Sequence, residues 1–101
     1  VAAAYSILGE IEYDDKNYER TISCFQKSEK TRIALYGKKH SKVAIIPFRL
    51  GKAYCAIGEY VAAVEHLAEA VEFCHNHPDI KCSFEKAAEE KLAIALRHLK
   101  E

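Results

Sequence analysis

The chain has no excess charge of either sign and no long hydrophobic run. Lysine plus arginine and aspartate plus glutamate number 15 each among its 101 residues, so the formal net charge is zero. A nucleic-acid-binding surface requires a clear positive excess, and we therefore expect no nucleic-acid partner. The longest apolar run covers only residues 43–48. Because a bilayer-spanning helix needs about 20 apolar residues, we expect no membrane insertion.

Cysteine is sparse and unpatterned. The four cysteines (Cys24, Cys55, Cys74 and Cys82) include no CxxC spacing, which excludes a densely disulfide-bonded secreted scaffold. We expect free thiols in a reducing compartment, and hence an intracellular, cytoplasmic location. His75 and His77 lie between two of these cysteines, but their spacing fits no usual zinc site. Neither a metal nor another cofactor is predicted.

Catalytic signatures are also missing. The sequence has no glycine-rich phosphate-binding loop. The acidic residues Glu10, Glu12, Asp14 and Asp15 could supply paired carboxylates for acid–base chemistry. They come together at a surface turn, however, and no nucleophile accompanies them. We therefore predict that the chain is not an enzyme.

The sequence does contain an internal repeat. Leu8-Gly9 recurs as Leu50-Gly51, 42 residues later, and a weaker copy follows at Leu92-Ala93 after another 42. Other positions align at the same spacing, such as Phe25 with Leu67. A fixed period in this range indicates a stacked array of helical units.

Hydrophobic periodicity predicts an all-α fold. Apolar residues recur at steps of three and four, and no strict alternation is long enough for a strand. Five antiparallel helices are predicted over residues 2–13, 18–36, 42–57, 60–74 and 83–100. Pro47 conflicts with the third, which is expected to begin nearer Ile46 or to kink there. Glycine recurring inside helices, at Gly9 and Gly51, indicates a close approach of a neighbouring helix.

The combination of these positions resembles the tetratricopeptide repeat. The family pattern places Leu-Gly and a tyrosine on a first helix, a G-x-Y turn, and A-x3-F-x2-A on a second helix. The second unit matches at Leu50, Gly51, Tyr54, Gly58, Tyr60, Ala63, Leu67 and Ala70. The first unit matches at Tyr5, Leu8, Gly9, Tyr18, Phe25 and Ser28. The 42-residue period and the link at residues 36–44 resemble the subgroup that includes kinesin light chains.

The resemblance implies a right-handed superhelical solenoid of helical hairpins. We expect one domain over residues 1–101, divided into repeat one (1–42), repeat two (43–78) and a closing helix or half repeat (79–101). A longer array is expected, of which this chain is a fragment. The residues expected to pack the repeats together are Leu8, Gly9, Leu50, Gly51, Tyr54, Tyr60, Ala63, Leu67, Leu92 and Ala93.

The resemblance also implies a protein–protein interaction module of a scaffold or adaptor, in which the first helices line a concave groove for a partner peptide or helix. By position, the groove residues include Ser6, Glu10, Tyr13, Asp14, Ile45, Phe48, Arg49, Lys52, Cys55, Ile94 and Arg97. The cations among them are suited to partner carboxylates, and the aromatics to apolar anchors. Two alternatives stay open. One is a homodimer formed through exposed repeat ends, and the other is an array that regulates an attached catalytic domain.

Overall fold

Five α-helices follow one another along the described part of the chain. The computed structural model describes residues 2–37, 40–80 and 82–100, without the side chains of residues 2, 3, 41 and 42. The helices are α1 (Ala2–Asp14), α2 (Tyr18–Tyr36), α3 (Ser41–Ala56), α4 (Tyr60–Asn76) and α5 (Glu85–Lys100). The described residues contain no strand. The predicted all-α helical-hairpin solenoid is confirmed.

The helices pack in chain order. Each contacts the next one, and α3 also contacts α5. Residues 15–17 and 57–59 are the only residues between the helices of the first two hairpins, so the paired helices must run antiparallel. The molecule measures 40 × 32 × 18 Å. These flattened proportions are those of a short stack of hairpins, with α1 and α3 as the first helices of the two pairs.

The two hairpin turns have the same backbone conformation. Lys16 in the first has φ 64°, and Gly58 in the second has φ 81°. In each turn two amides bond back to the preceding helix. The amides of Lys16 and Asn17 bond to the carbonyls of Tyr13 and Glu12, and those of Gly58 and Glu59 bond to the carbonyls of Cys55 and Tyr54. The left-handed residue thus closes the helix C-terminus.

The third helix continues through Pro47. It starts at Ser41, one residue before the predicted start at residue 42, and not at the alternative start near Ile46. The first turn forms ahead of the proline, where the carbonyl of His40 accepts bonds from the amides of Val43 and Ala44. Val43, Ala44 and Ile46 are then buried. Burial of these apolar side chains offsets the backbone hydrogen bond that proline cannot donate.

Small residues let the helices approach closely. Ala53, Ala63, Ala70, Ala88 and Ala95 are fully buried. A Cβ atom added to Gly51 would lie 2.4 Å from Cγ of Leu67, and one added to Gly9 would lie 3.0 Å from the ring of Phe25. Phe25 and Leu67 are themselves one period apart, so the same glycine contact occurs in both hairpins.

Two of the expected packing residues lie at the surface. Leu8 is 44 % exposed, whereas Leu50, its counterpart one period later, packs against Phe25 of α2. No described helix covers the corresponding side of α1. Ala93 is also exposed, and the neighbouring Ala95 packs with Ala63 and Leu67 of α4 in its place. Three further expected packing residues, Tyr54, Tyr60 and Leu92, pack against this α4–α5 cluster as half-buried side chains.

Candidate functional site: a groove between three helices

A concave pocket of about 460 Å³ opens between α1, α3 and the start of α5. We refer to it as the groove. It is lined by Glu10, Tyr13, Asp14, Phe25, Ile45, Phe48, Arg49, Lys52, Ser83, Phe84 and Ala87. The two first helices therefore form its walls, with the N-terminal turn of α5 at one end.

Helical geometry explains which side chains of α3 meet in the groove. Ile45, Phe48, Arg49 and Lys52 follow at steps of three, one and three residues, so they share one face of the helix. Phe48 stacks on Phe84 from the start of α5, with ring centroids 5.7 Å apart and planes 20° apart. This aromatic pair gives the groove an apolar patch beside its charged residues.

Lys52 lies against aromatic rings. Its Nζ atom is 4.8 Å from the centroid of Tyr13 and 5.4 Å from that of Phe48, within the range of cation–π attraction. Burial lowers the pKa of Lys52, and the charges of Lys91 and Arg49 lower it further, while Asp14 and Glu10 oppose this effect. No carboxylate among the described residues forms an ion pair with this ammonium group.

Arg49 already has a carboxylate partner. Its guanidinium forms an ion pair with Glu10 of α1, across the groove. It also lies 5.6 Å from the centroid of the Phe25 ring. Glu10 and Asp14 make the α1 side of the groove acidic, whereas Lys52 and Lys91 make the α3–α5 side basic.

Tyr13 forms the junction between these two sides. It packs edge-on against Tyr18, with centroids 5.4 Å apart. Burial raises the pKa of Tyr13, and the nearby Tyr18, Cys55 and Asp14 raise it further. Tyr13 therefore stays a neutral phenol in the physiological range, able to donate a hydrogen bond to a partner.

Ser6 does not face the groove. It is only 7 % exposed, because its hydroxyl lies in the interface between α1 and α2. There the oxygen is 2.8 Å from the hydroxyl of Ser28, and it accepts a hydrogen bond from Nη2 of Arg32 at 3.0 Å. The position carries Phe48 one period later, which does line the groove. A small polar residue instead pairs with the second helix of its own hairpin.

Three further predicted groove residues lie outside the pocket lining. Cys55 is half-buried beside it, and burial raises the pKa of its thiol, partly countered by Lys91. Ile94 and Arg97 are exposed farther along α5. The lining residues that sequence reasoning missed are Phe25, Ser83, Phe84 and Ala87. Ala87 is one period after Ile45, so the repeat could have identified it, but nothing in the repeat marked Phe84.

The described histidines and carboxylates outside the groove give weak support for a metal site. His77 turns back to its own helix, where its Nδ1 atom lies 3.0 Å from the carbonyl oxygen of Phe73. It therefore does not converge with His75, which lies near Glu89. His75, Glu85 and Glu89 bring possible ligand atoms within 4.8 Å of one another, but two of the three are exposed. Exposed carboxylates often lie this close without an ion.

Comparison with known protein families finds one matching family model. A family model for the tetratricopeptide repeat matches residues 1–74, from α1 nearly to the end of α4. A search among curated proteins found no match. None of the helices, over the residues described, is long and apolar enough to cross a bilayer. The matched family is typically non-catalytic, and its domains bind proteins or peptides. Since the match spans well over half of the sequence, the chain belongs to the tetratricopeptide repeat family.

Proposed function

We propose that the chain binds a short peptide segment or helix of a partner protein in the groove, as part of a scaffold or adaptor. The segment carries an acidic side chain and an apolar one. The acidic side chain pairs with Lys52, and the apolar one packs on the rings of Phe48 and Phe84. Binding modules of this kind gain affinity from aromatic anchors and specificity from charge pairing.

The environment of Lys52 is the observation that carries this proposal. A half-buried ammonium between two rings has lost part of its hydration. The charges of Asp14 and Glu10 compensate for this only in part, and no carboxylate among the described residues forms an ion pair with Lys52. An incoming carboxylate would restore that lost interaction. Arg49 is less available, because Glu10 already neutralises it.

The test begins with a library of displayed random peptides selected on the immobilised chain. Selected peptides are then resynthesised with a fluorophore, and their dissociation constants are measured by anisotropy. We expect peptides with an acidic residue near an aromatic or aliphatic one. Lys52→Glu should weaken their binding roughly tenfold or more, because the reversed charge repels the peptide carboxylate.

The matched control is Lys30→Glu, a charge reversal on the exposed face of α2 away from the groove. It should leave the affinity unchanged. The double variant Arg49→Glu with Lys52→Glu should abolish binding. If peptides bind the Lys52→Glu variant as tightly as the original chain, the groove is the wrong surface.

Self-association is a second candidate, favoured by apolar side chains at both ends of the stack. Ile7, Leu8 and Ile11 of α1 and Leu96 and Leu99 of α5 are between 43 % and 58 % exposed. Light scattering over a wide concentration range distinguishes the two functions. A mass that rises with concentration, and that Leu8→Glu with Ile11→Glu returns to the monomer, would favour self-association. A constant monomer mass would favour peptide binding.

A further inference from the structure

Two cysteines lie near the junction between α4 and α5. Cys74 lies in the last turn of α4, and Cys82 lies in the segment that leads into α5. Cys74 belongs to a buried apolar cluster with Phe84 and Ala88, and Cys82 packs against this cluster. The ionisation of Cys74 also responds to Cys82. The reduced fold therefore already brings the two cysteines together in one packed cluster.

The two thiols differ in accessibility. Cys74 is 3 % exposed, whereas Cys82 is half-buried and can be reached from solvent. The pKa of Cys74 is raised to about 12, first by burial and then by its interaction with Cys82 and the charges of Glu85 and Glu89. A buried thiol of this kind reacts poorly with reagents in solution, but it can attack a disulfide sulfur that the fold holds beside it.

We propose that Cys74 and Cys82 form a reversible disulfide, made by exchange with a small-molecule disulfide such as oxidised glutathione, that links the end of α4 to the entry of α5. The thiolate of Cys82 attacks one sulfur of oxidised glutathione. That S–S bond breaks, and one glutathione leaves and takes up a proton. Cys74 then loses its proton and attacks the sulfur of Cys82, which expels the second glutathione. The protein loses two hydrogen atoms, and the oxidant gains them.

The bond has a mechanical consequence. It would close a short loop around residues 75–81 and restrain the segment that carries Ser83 and Phe84. Closing a loop stabilises the folded state chiefly by restricting the unfolded chain, provided that the native geometry accepts the bond without distortion. Because Cys82 already packs against the cluster that contains Cys74, we expect the bond to need little backbone movement. This inference does not depend on what the groove binds.

Peptide mapping provides the test, because trypsin cleaves after Lys81, between the two cysteines. The chain is treated with oxidised glutathione under native conditions, alkylated, and digested. Cys74 then lies in peptide 53–81 and Cys82 in peptide 82–86. Since Cys55 shares the first peptide, the experiment uses a Cys55→Ser background. We expect the two peptides to be joined, and a reducing agent to separate them.

Variants make the result specific. Cys24→Ser, at a buried cysteine on α2, should leave the link intact. Cys82→Ser, at the half-exposed site, should remove it without disturbing the fold, whereas Cys74→Ser risks destabilising the core. Oxidation of the Cys55→Ser chain should raise the thermal midpoint by roughly 5 °C or more, and reduction should reverse the change. Recovery of peptide 82–86 with a lasting glutathione adduct, with an alkylated Cys82, or linked to Cys24 would in each case overturn the proposal.

Discussion

Lys16 and Gly58 occupy the same position of the two hairpin turns, yet the same backbone conformation is strained at Lys16 and not at Gly58. Both have positive φ. A residue with a Cβ atom is strained in this region by about 1–2 kcal/mol, whereas glycine is not. The first hairpin therefore carries strain that the second avoids. A side chain at Gly58 would strain only the backbone, because a Cβ atom added there would meet no atom within 4 Å.

Adding a glycine at the first turn and removing the glycine of the second should change the stability in opposite directions. We expect Lys16→Gly to raise the free energy of unfolding by about 0.5 kcal/mol, since relief of strain exceeds the added entropy of the unfolded chain. Gly58→Ala should lower it by about 1 kcal/mol. Urea denaturation followed by circular dichroism measures both. Equal changes of the same sign would mean that the two turns are not equivalent.

Gly51 is constrained by its neighbour and not by its backbone. Alanine is favoured over glycine inside a helix by about 1 kcal/mol. At Gly51 the added methyl group would lie 2.4 Å from Leu67, and the resulting overpacking costs more than this gain. We expect Gly51→Ala to lower the free energy of unfolding by about 1–3 kcal/mol, as measured by urea denaturation.

Gly9→Ala is the matched control, because its added methyl group would lie 3.0 Å from the Phe25 ring. Its effect should be closer to zero. Gly51→Ala should also be milder in a Leu67→Ala background, since the two side chains then no longer compete for space. An equal loss in both backgrounds would contradict the proposed contact.

The orientation of helix α5 is set by the face that it packs against α4. The repeat predicts Ala93 at the packing position, but Ala95 is the residue buried against α4. Ala93 corresponds to Gly9 and Gly51, which each contact the following helix of their own hairpin. The described part of the chain contains no helix after α5, so that face of α5 remains exposed.

Arginine at each of these alanines tests which face is docked. Ala95→Arg buries a charge in the α4–α5 interface and should lower the thermal midpoint by roughly 5–10 °C. Ala93→Arg places the same side chain in solvent and should change it little. Differential scanning calorimetry on both variants provides the comparison. A larger effect at Ala93 would mean that α5 is rotated about its axis relative to the described packing.

At the scale of the whole molecule, charge is balanced overall but separated locally. The net charge is zero, yet the groove has an acidic α1 side and a basic α3–α5 side. A neutral molecule exerts little long-range attraction on a charged partner. Any salt dependence of binding must then come from contacts inside the groove.

We therefore expect added salt to weaken peptide binding mainly by screening the charge of Lys52. An increase of ionic strength from about 0.05 to about 0.5 M should raise the dissociation constant of a selected acidic peptide roughly threefold to tenfold. Lys52→Gln should remove most of that dependence, whereas Lys30→Gln should keep it. Anisotropy titrations at several salt concentrations measure the slope. A slope unchanged in Lys52→Gln would place the charge contact elsewhere.

Periodicity alone determined the class of the fold and most of its helices. Apolar spacing located five helices, and the Leu-Gly anchors identified the family, because stacked repeats impose the same contacts at the same interval. The bounds of α2 agree with the prediction. Local preference could not decide between the predicted start of α3 at residue 42 and the alternative start near Ile46. The tertiary burial of Val43, Ala44 and Ile46 favours the earlier start and outweighs the effect of Pro47.

The composition of the groove was decided only by the tertiary structure. The repeat assigned Glu10, Tyr13, Phe48, Arg49 and Lys52 to the first helices of the two hairpins, and these residues line the pocket. It could not reveal that Ser6 turns inward to Ser28, that Phe84 stacks on Phe48, or that Cys82 packs against the cluster of Cys74. Those contacts join residues far apart in the chain or outside the regular helices. They depend on how neighbouring helices are docked, which a one-dimensional period does not contain.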